Sequence, residues 1–180
     1  MMWCQAAARR RRLNMAVRDI LEYPDPRLHE LSRPVDRFDD ALAHTVEDLI
    51  ETLRASASIG LCAPQIDVRE QVLVMDHSED QSAPEVYINP VIMRRRGFGL
   101  VEERCLSVPG MSAFVFRATA VEVRAQDVSG STFERTLTGM PAVCLQHEMD
   151  HFDGKLVADR MNWFKRRRLR AALARAQEPA

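Results

Sequence analysis

The stretch CLQHEMDHFDG, residues 144–154, decides how the rest of the chain is read. His147 and His151 stand four apart, with Glu148 directly after the first. On an α-helix, positions i and i+4 share a face, so both imidazoles are offered to one point in space. That is the spacing of a metal-binding helix. Pro141 suits its first turn, where a missing N–H loses no bond, and Gly154 suits the position just past its end. A catalytic metal of this kind takes three protein ligands and keeps a position open for water, so a third ligand must come from elsewhere.

On either side of this helix the pattern changes. Leu42, Val46, Leu49, Ile50 and Leu53 recur at steps of three and four and predict an amphipathic helix over 40–55. A short apolar strand is expected around Ile20 and Leu21, then a loop or tight turn at YPDPRL (23–28), which holds two prolines. QVLVMD (71–76) and EVYINPVIM (85–93) read as strands joined by a polar loop, with Pro90 at an edge or bulge because it cannot donate to the ladder. Gly97 and Gly99 mark a bend before LVEERCLSV (100–108). Val121, Val123 and Ala125 alternate with charged residues before a turn at Ser129 and Gly130, which predicts a half-exposed hairpin.

The chain has 180 residues, 46% hydrophobic and 28% charged, the composition of an ordinary globular protein rather than a disordered, collagenous or coiled-coil one. A net charge of -1 implies no bulk attraction to nucleic acid. No apolar run approaches the roughly 18 residues that span a bilayer. Cys4, Cys62, Cys105 and Cys144 lie scattered without a CxxC pair and without a secretory signal before them, which fits a reducing cytosol. The first 14 residues have no acidic residue and four consecutive arginines; a disordered extension ahead of Met15 is expected, with an organelle presequence as the alternative. The other end, MNWFKRRRLRAALARAQ (161–177), reads as a basic amphipathic helix with Trp163, Phe164, Leu169 and Leu173 inward.

The third ligand is sought by exclusion. A histidine six residues after His151 would mark one protease type, but that position is Val157. A downstream glutamate would mark another, but the only one after Glu148 is Glu178, close to the chain end. Cys144 lies five residues from the midpoint of the histidines, roughly 7.5 Å along the axis, whereas a cysteine reaches about 4 Å from Cβ to metal. Cys105 remains, on an expected strand, and completes a Cys-His-His set with a fourth position open.

Here three stretches, SIGLCAPQ (58–65), ERCLS (103–107) and QHEMDH (146–151), resemble in order the GxGxAAxQ, EGCLS and QHExDH motifs of peptide deformylases. The resemblance covers about residues 20–170, and the trio is specific where each motif alone is only suggestive. It implies an α+β fold of antiparallel strands around a central HExxH helix, followed by a C-terminal helix. One catalytic domain would span 15–172, between the extension 1–14 and a tail 173–180. The implied activity is metal-dependent removal of the N-formyl group from the formylmethionine of nascent polypeptides, releasing formate. The alternatives are a metallopeptidase and a catalytically silent ribosome-associated paralogue.

Site roles follow from the same resemblance. Cys105, His147 and His151 would hold one divalent ion, Fe2+ in similar enzymes, with Zn2+ or Ni2+ also accepted. Glu148 would act as general base and then acid, and the Gln65 side-chain amide and Leu106 backbone N–H as oxyanion donors. Ile59, Gly60, Glu103, Val143 and Cys144 would line the peptide cleft and the pocket for the first side chain. Ser58, Cys62 and Arg104 depart from the family pattern, in which glycine, alanine and glycine stand. Strand alternation would aim Arg104 away from the Cys105 face, at the cleft rim. His29, His44 and His77 are expected at the surface. The partners implied are formylmethionyl nascent peptides in the cytoplasm and ribosomal RNA, through Lys165, Arg166, Arg167, Arg168 and Arg170. No membrane and no sequence-specific nucleic acid are expected.

Overall fold

A computed structural model describes residues 16–56, 58–160 and 167. The expected extension 1–14 lies outside these residues. So does the expected terminal helix, apart from Arg167, which is helical and exposed.

Helix α1, Asp40–Ser56, follows the predicted period and buries Leu42, Val46, Leu49 and Leu53. Asp39 starts it by accepting from the N–H groups of Ala41 and Leu42, at 3.1 and 3.3 Å, which satisfies two donors that have no helical partner. Seven strands follow: β1 Gly60–Cys62, β2 Val72–Met75, β3 Glu85–Arg96, β4 Gly99–Arg104, β5 Ser112–Arg117, β6 Ala120–Gln126 and β7 Thr132–Thr138. The second helix, α2, Met140–Phe152, carries the two histidines. The polypeptide makes a five-stranded sheet in the order β1-β2-β3-β6-β7 and a separate pair β4-β5, every pairing antiparallel.

The large sheet is covered on both faces, and β2 shows why. Its four residues are all buried; because successive side chains point to opposite faces, Leu73 and Met75 pack with α2 while Val72 and Val74 pack with α1. Val121, Val123 and Ala125 of β6 join the α2 side, leaving Arg124 exposed behind them. Pro90 sits inside the sheet, not at its edge, and the bulge expected of it is present. Between Ile88 and Val91 β3 advances three residues while β6 moves from Gln126 to Arg124, two. The Asn89 amide fills the gap with bonds to Val35 and Gln126 at 2.8 to 2.9 Å.

A second core, of Tyr23, Leu28, Val108, Ala113, Val115 and Leu156, lies between β4-β5 and the ends of the domain. Helix α2 packs on the large sheet through Ala142, Cys144, Leu145 and Phe152 and is buried almost all round, as a central helix must be. Gln146 fastens it: its amide takes the N–H of Ala118 at 3.1 Å and gives to the Ala118 carbonyl at 2.9 Å, at the crossing from β5 to β6. Past the helix end Gly154 has φ +67°, and a Cβ there would lie 2.4 Å from the His29 carbonyl oxygen.

Two expectations need correction. Ile20 and Leu21 form no strand; the segment runs across two separate loops, Leu21 N–H bonding Gln65 and Tyr23 N–H bonding Ser107, both at 2.8 Å, so no neighbour lies alongside it. Tyr23-Pro24 is cis, and Pro26–His29 forms a 3-10 turn. Cys105 is not within a strand but one residue beyond β4, where the chain turns.

Candidate active site

Helix α2 brings the two imidazoles together as its period requires, centroids 5.3 Å apart and nearly perpendicular. Cys105 comes to meet them from the end of β4, its Sγ 3.3 Å from His151 Nε2. One donor atom from each of Cys105, His147 and His151 lies within 4.8 Å of the others. The orientation of His147 is set from behind. Its Nδ1 lies 2.8 Å from Glu103 Oε2, which puts the ring proton on Nδ1 and leaves the Nε2 lone pair for the cluster. His151 is fully buried, and burial pushes its imidazole down to about 3, so it is neutral at ordinary pH and able to ligate. A soft sulfur and two imidazole nitrogens suit a borderline divalent ion such as Fe2+, Zn2+ or Ni2+.

Behind this trio runs a buried ionic chain. Glu103 accepts from Arg117 Nε at 2.6 Å and Nη2 at 3.0 Å, and Arg117 also pairs with Asp150 at 2.9 Å. Burial alone would raise the Glu103 carboxyl, but His147 and Arg117 together hold it down at about 2. Glu103, expected as a cleft wall, therefore also braces a candidate ligand. Arg117 is absent from the sequence expectations. Its buried place on β5 alternates with exposed phenylalanines, so the usual polarity rule conceals it.

Glu148 lies on the inner side of α2 at 4% exposure, and its Oε2 has no hydrogen-bond partner among the described residues. Burial raises its carboxyl above the usual range, against the pull of His147. The room for this carboxylate comes from Gly60. A Cβ built there would lie 2.8 Å from Glu148 Oε1 and 2.4 Å from Cys144 Sγ. Cys144, excluded above as a ligand on axial distance, belongs to neither of the two metal-donor groups among the described residues. The second group is Cys62, Glu148 and His151. Gln65 is buried, its Oε1 taking the Cys62 N–H at 3.0 Å and the Cys62 thiol at 3.2 Å. That fixes its NH2 end toward Ser107 Oγ, 3.2 Å, and Cys105 Sγ, 3.8 Å. Leu106 follows Cys105 in a turn closed by Val108 N–H on the Cys105 carbonyl, 3.0 Å.

A cleft of about 280 Å³ opens over His147 and Glu148, and Ile59, Gly60, Glu103, Arg104, Val143 and Cys144 all line it. Sequence reasoning missed Glu102 and Met140 on the same wall, where Ser58, one of the departures from the family pattern, also stands. Arg104 ends β4 in extended backbone and is exposed between buried Glu103 and Cys105, as strand alternation required. Its glycine counterpart in the family is therefore not replaced at the cost of a left-handed φ. A larger cleft, about 450 Å³, opens beyond Arg117 and contains none of the donor trio. His29 and His77 are exposed and His44 partly so, all apart from the cluster.

The chain matches the family model described as polypeptide deformylase over residues 17–167. It is 43% identical to a peptide deformylase of Neisseria gonorrhoeae over 164 residues, 91% of this chain and 98% of that one. A peptide deformylase of Hahella chejuensis is 46% identical over 160 residues, 88% and 95% of the two chains. Among solved structures, a peptide deformylase from Legionella pneumophila superposes with a TM-score of 0.84 at 40% identity, covering 91% of this chain and all of that one. The Ehrlichia chaffeensis enzyme in complex with actinonin gives 0.86 at 31% identity, covering 92% and 100%.

Proposed function

The chain belongs to the polypeptide deformylase family, metal-dependent hydrolases that take the N-formyl group from nascent polypeptides, and on that premise we propose how its own residues divide the work. The observation that carries the proposal is the convergence of Cys105, His147 and His151 beside the buried, unpartnered carboxylate oxygen of Glu148. Cys105, His147 and His151 would hold one divalent ion, Fe2+ by family resemblance. Such an ion, when bound, would supply Lewis acidity and lower the pKa of water toward about 7.

Glu148 takes the proton from the attacking water on its carboxylate and returns it to the departing amine nitrogen, a transfer eased by a pKa already raised by burial. The Gln65 NH2 group and the Leu106 N–H donate to the developing oxyanion; loss of one such donor typically costs about 2.7–4 kcal/mol. Glu103, braced by Arg117, keeps His147 in the ligating tautomer. The cleft walls formed by Ile59, Gly60, Val143 and Cys144 receive the methionine side chain, and formate leaves. The reading places the enzyme in the cytoplasm, with Lys165, Arg166, Arg167, Arg168 and Arg170 contacting ribosomal phosphates.

The test is formate release from a formyl-Met peptide, assayed anaerobically with metal added and its content measured. Activity well above that of Glu148→Ala supports the assignment. No excess over that variant, with metal verified in the site, rejects it.

A further inference from the structure

The pair β4-β5 turns an unusual surface to solvent. Cross-strand partners share a face, and here Arg104 pairs with Ser112, Glu102 with Phe114 and Leu100 with Phe116. These six residues form the outer face. The inner face holds Glu103 and Arg117 with Ala113 and Val115, all buried. On the outer face Leu100, Phe114 and Phe116 are 55%, 59% and 74% exposed, and Phe98, just before β4, is 72% exposed. Four large apolar side chains clustered and uncovered on one small hairpin exceed the scattered exposure normal for a surface, and such patches mark interaction sites.

The position of the patch says what it meets. One end of the outer face is the cleft rim itself, since Arg104 and Glu102 line the cleft over His147 and Glu148. Arg104 and Ser112 also border a neighbouring hollow beside Cys105. The other end, Leu100 with Phe116, lies four residues back along β4, about 14 Å away at roughly 3.4 Å per residue. There the apolar surface continues into the larger cleft through Phe98 and Phe116. An extended chain whose first residue sits in the cleft and which leaves along β4 covers the same distance with four of its own residues.

We propose that the outer face of β4-β5, through Leu100, Phe116 and Phe98, is a docking surface for apolar side chains at about the fifth to seventh residues of the formylated substrate. The proposal deepens the deformylase reading and rests on it. Substrates that are apolar in this stretch bind tighter, chiefly through KM, because the added burial acts before chemistry and equally during it.

The test uses the full, metal-loaded protein and three substrates. Two are formyl-Met octapeptides that differ only at residues five to seven, Leu-Phe-Leu in one and Ser-Asn-Ser in the other. The third is formyl-Met-Ala-Ser, too short to reach Leu100, Phe116 or Phe98. The apolar octapeptide should show kcat/KM about tenfold higher, carried by KM, the equivalent of burying part of one large side chain. The double variant Phe98→Ser, Phe116→Ser should lose this preference while cleaving the tripeptide as the parent does. Leu100→Ser should lose part of it, which guards against misfolding of the double variant. Equal kcat/KM for the two octapeptides in the parent protein overturns the proposal. So does concentration-dependent dimerisation that depends on Phe98 and Phe116 and comes without peptide preference, since the face then serves a second copy. Failure to cleave even the tripeptide would strike the deformylase reading instead.

Discussion

At the scale of single residues, the site depends on an atom that is missing. Gly60 leaves room for the Glu148 carboxylate and the Cys144 sulfur, and a methyl group there would stand 2.8 and 2.4 Å from them. Gly60→Ala should therefore leave the sheet in place but displace Glu148. A misplacement of about 1 Å in a reacting group can lower rate about 100-fold, so kcat for formate release should fall by roughly one to two orders of magnitude with metal content unchanged. Parental kcat in Gly60→Ala would show that the carboxylate has slack the packing does not suggest. Glu103 offers a test of a different kind. Its carboxyl is held at about 2 against an ordinary 4.5, so it contributes stability that is fully present above about pH 4.5 and is lost as pH falls toward 2. In chelator-treated protein, urea midpoints of the parent should drop more steeply between pH 5 and pH 3 than those of Glu103→Gln. Parallel curves would mean that the Arg117 and His147 contacts add no stability at this position.

At the scale of elements, α2 has to hold its angle on the large sheet for three donors to converge. Its period explains why His147 and His151 share a face, but not where that face points. Gln146 helps to fix the direction by closing on both backbone groups of Ala118, at 2.9 and 3.1 Å. Removing the amide would leave a buried N–H and a buried C=O without partners, each at about 1–3 kcal/mol. Gln146→Leu should thus destabilise the domain by about 2–4 kcal/mol in urea unfolding, and lower metal affinity as well because the helix is freed to shift. A loss confined to below about 0.5 kcal/mol would assign the helix direction to apolar packing alone. The same reasoning separates the cysteines. Cys105→Ser should empty the site, whereas Cys144→Ser, which removes no atom of the donor trio, should keep parental metal stoichiometry.

Across the whole molecule, the donor trio joins parts that the chain otherwise keeps apart. Cys105 belongs to the core beneath β4-β5, and α2 supplies Cys144 and Leu145 to the core of the large sheet. An ion held by both is a cross-link present only in the folded state, so it stabilises by mass action, about 2.7 kcal/mol at 100 times Kd. Chelation should lower Tm by several degrees and return it on adding Fe2+, Zn2+ or Ni2+, with Cys105→Ser insensitive to either step. A Tm unmoved by chelation, with metal loss verified, would mean that the two cores meet equally well without the ion. Much of this architecture was legible in the chain. Period and spacing determined α1, the β6-β7 hairpin and the pairing of His147 with His151, because these depend on local geometry that repeats every 3.6 or 2 residues; Pro90 announced an edge or a bulge, and Pro141 and Gly154 marked the ends of α2. Reach along the helix axis was enough to set Cys144 aside. Other features had no local signature. Leu21 and Tyr23 give their N–H groups to Gln65 and Ser107, more than 40 positions away, so the segment forms no strand despite the apolar Ile20 and Leu21. On β5 the phenylalanines face water and Arg117 lies inside, the reverse of what alternation implies, because Glu103 and Asp150 from distant segments meet the guanidinium there. Burial of a charge is decided by partners that only the folded chain assembles, and a hydrophobic pattern read along one strand carries no record of them.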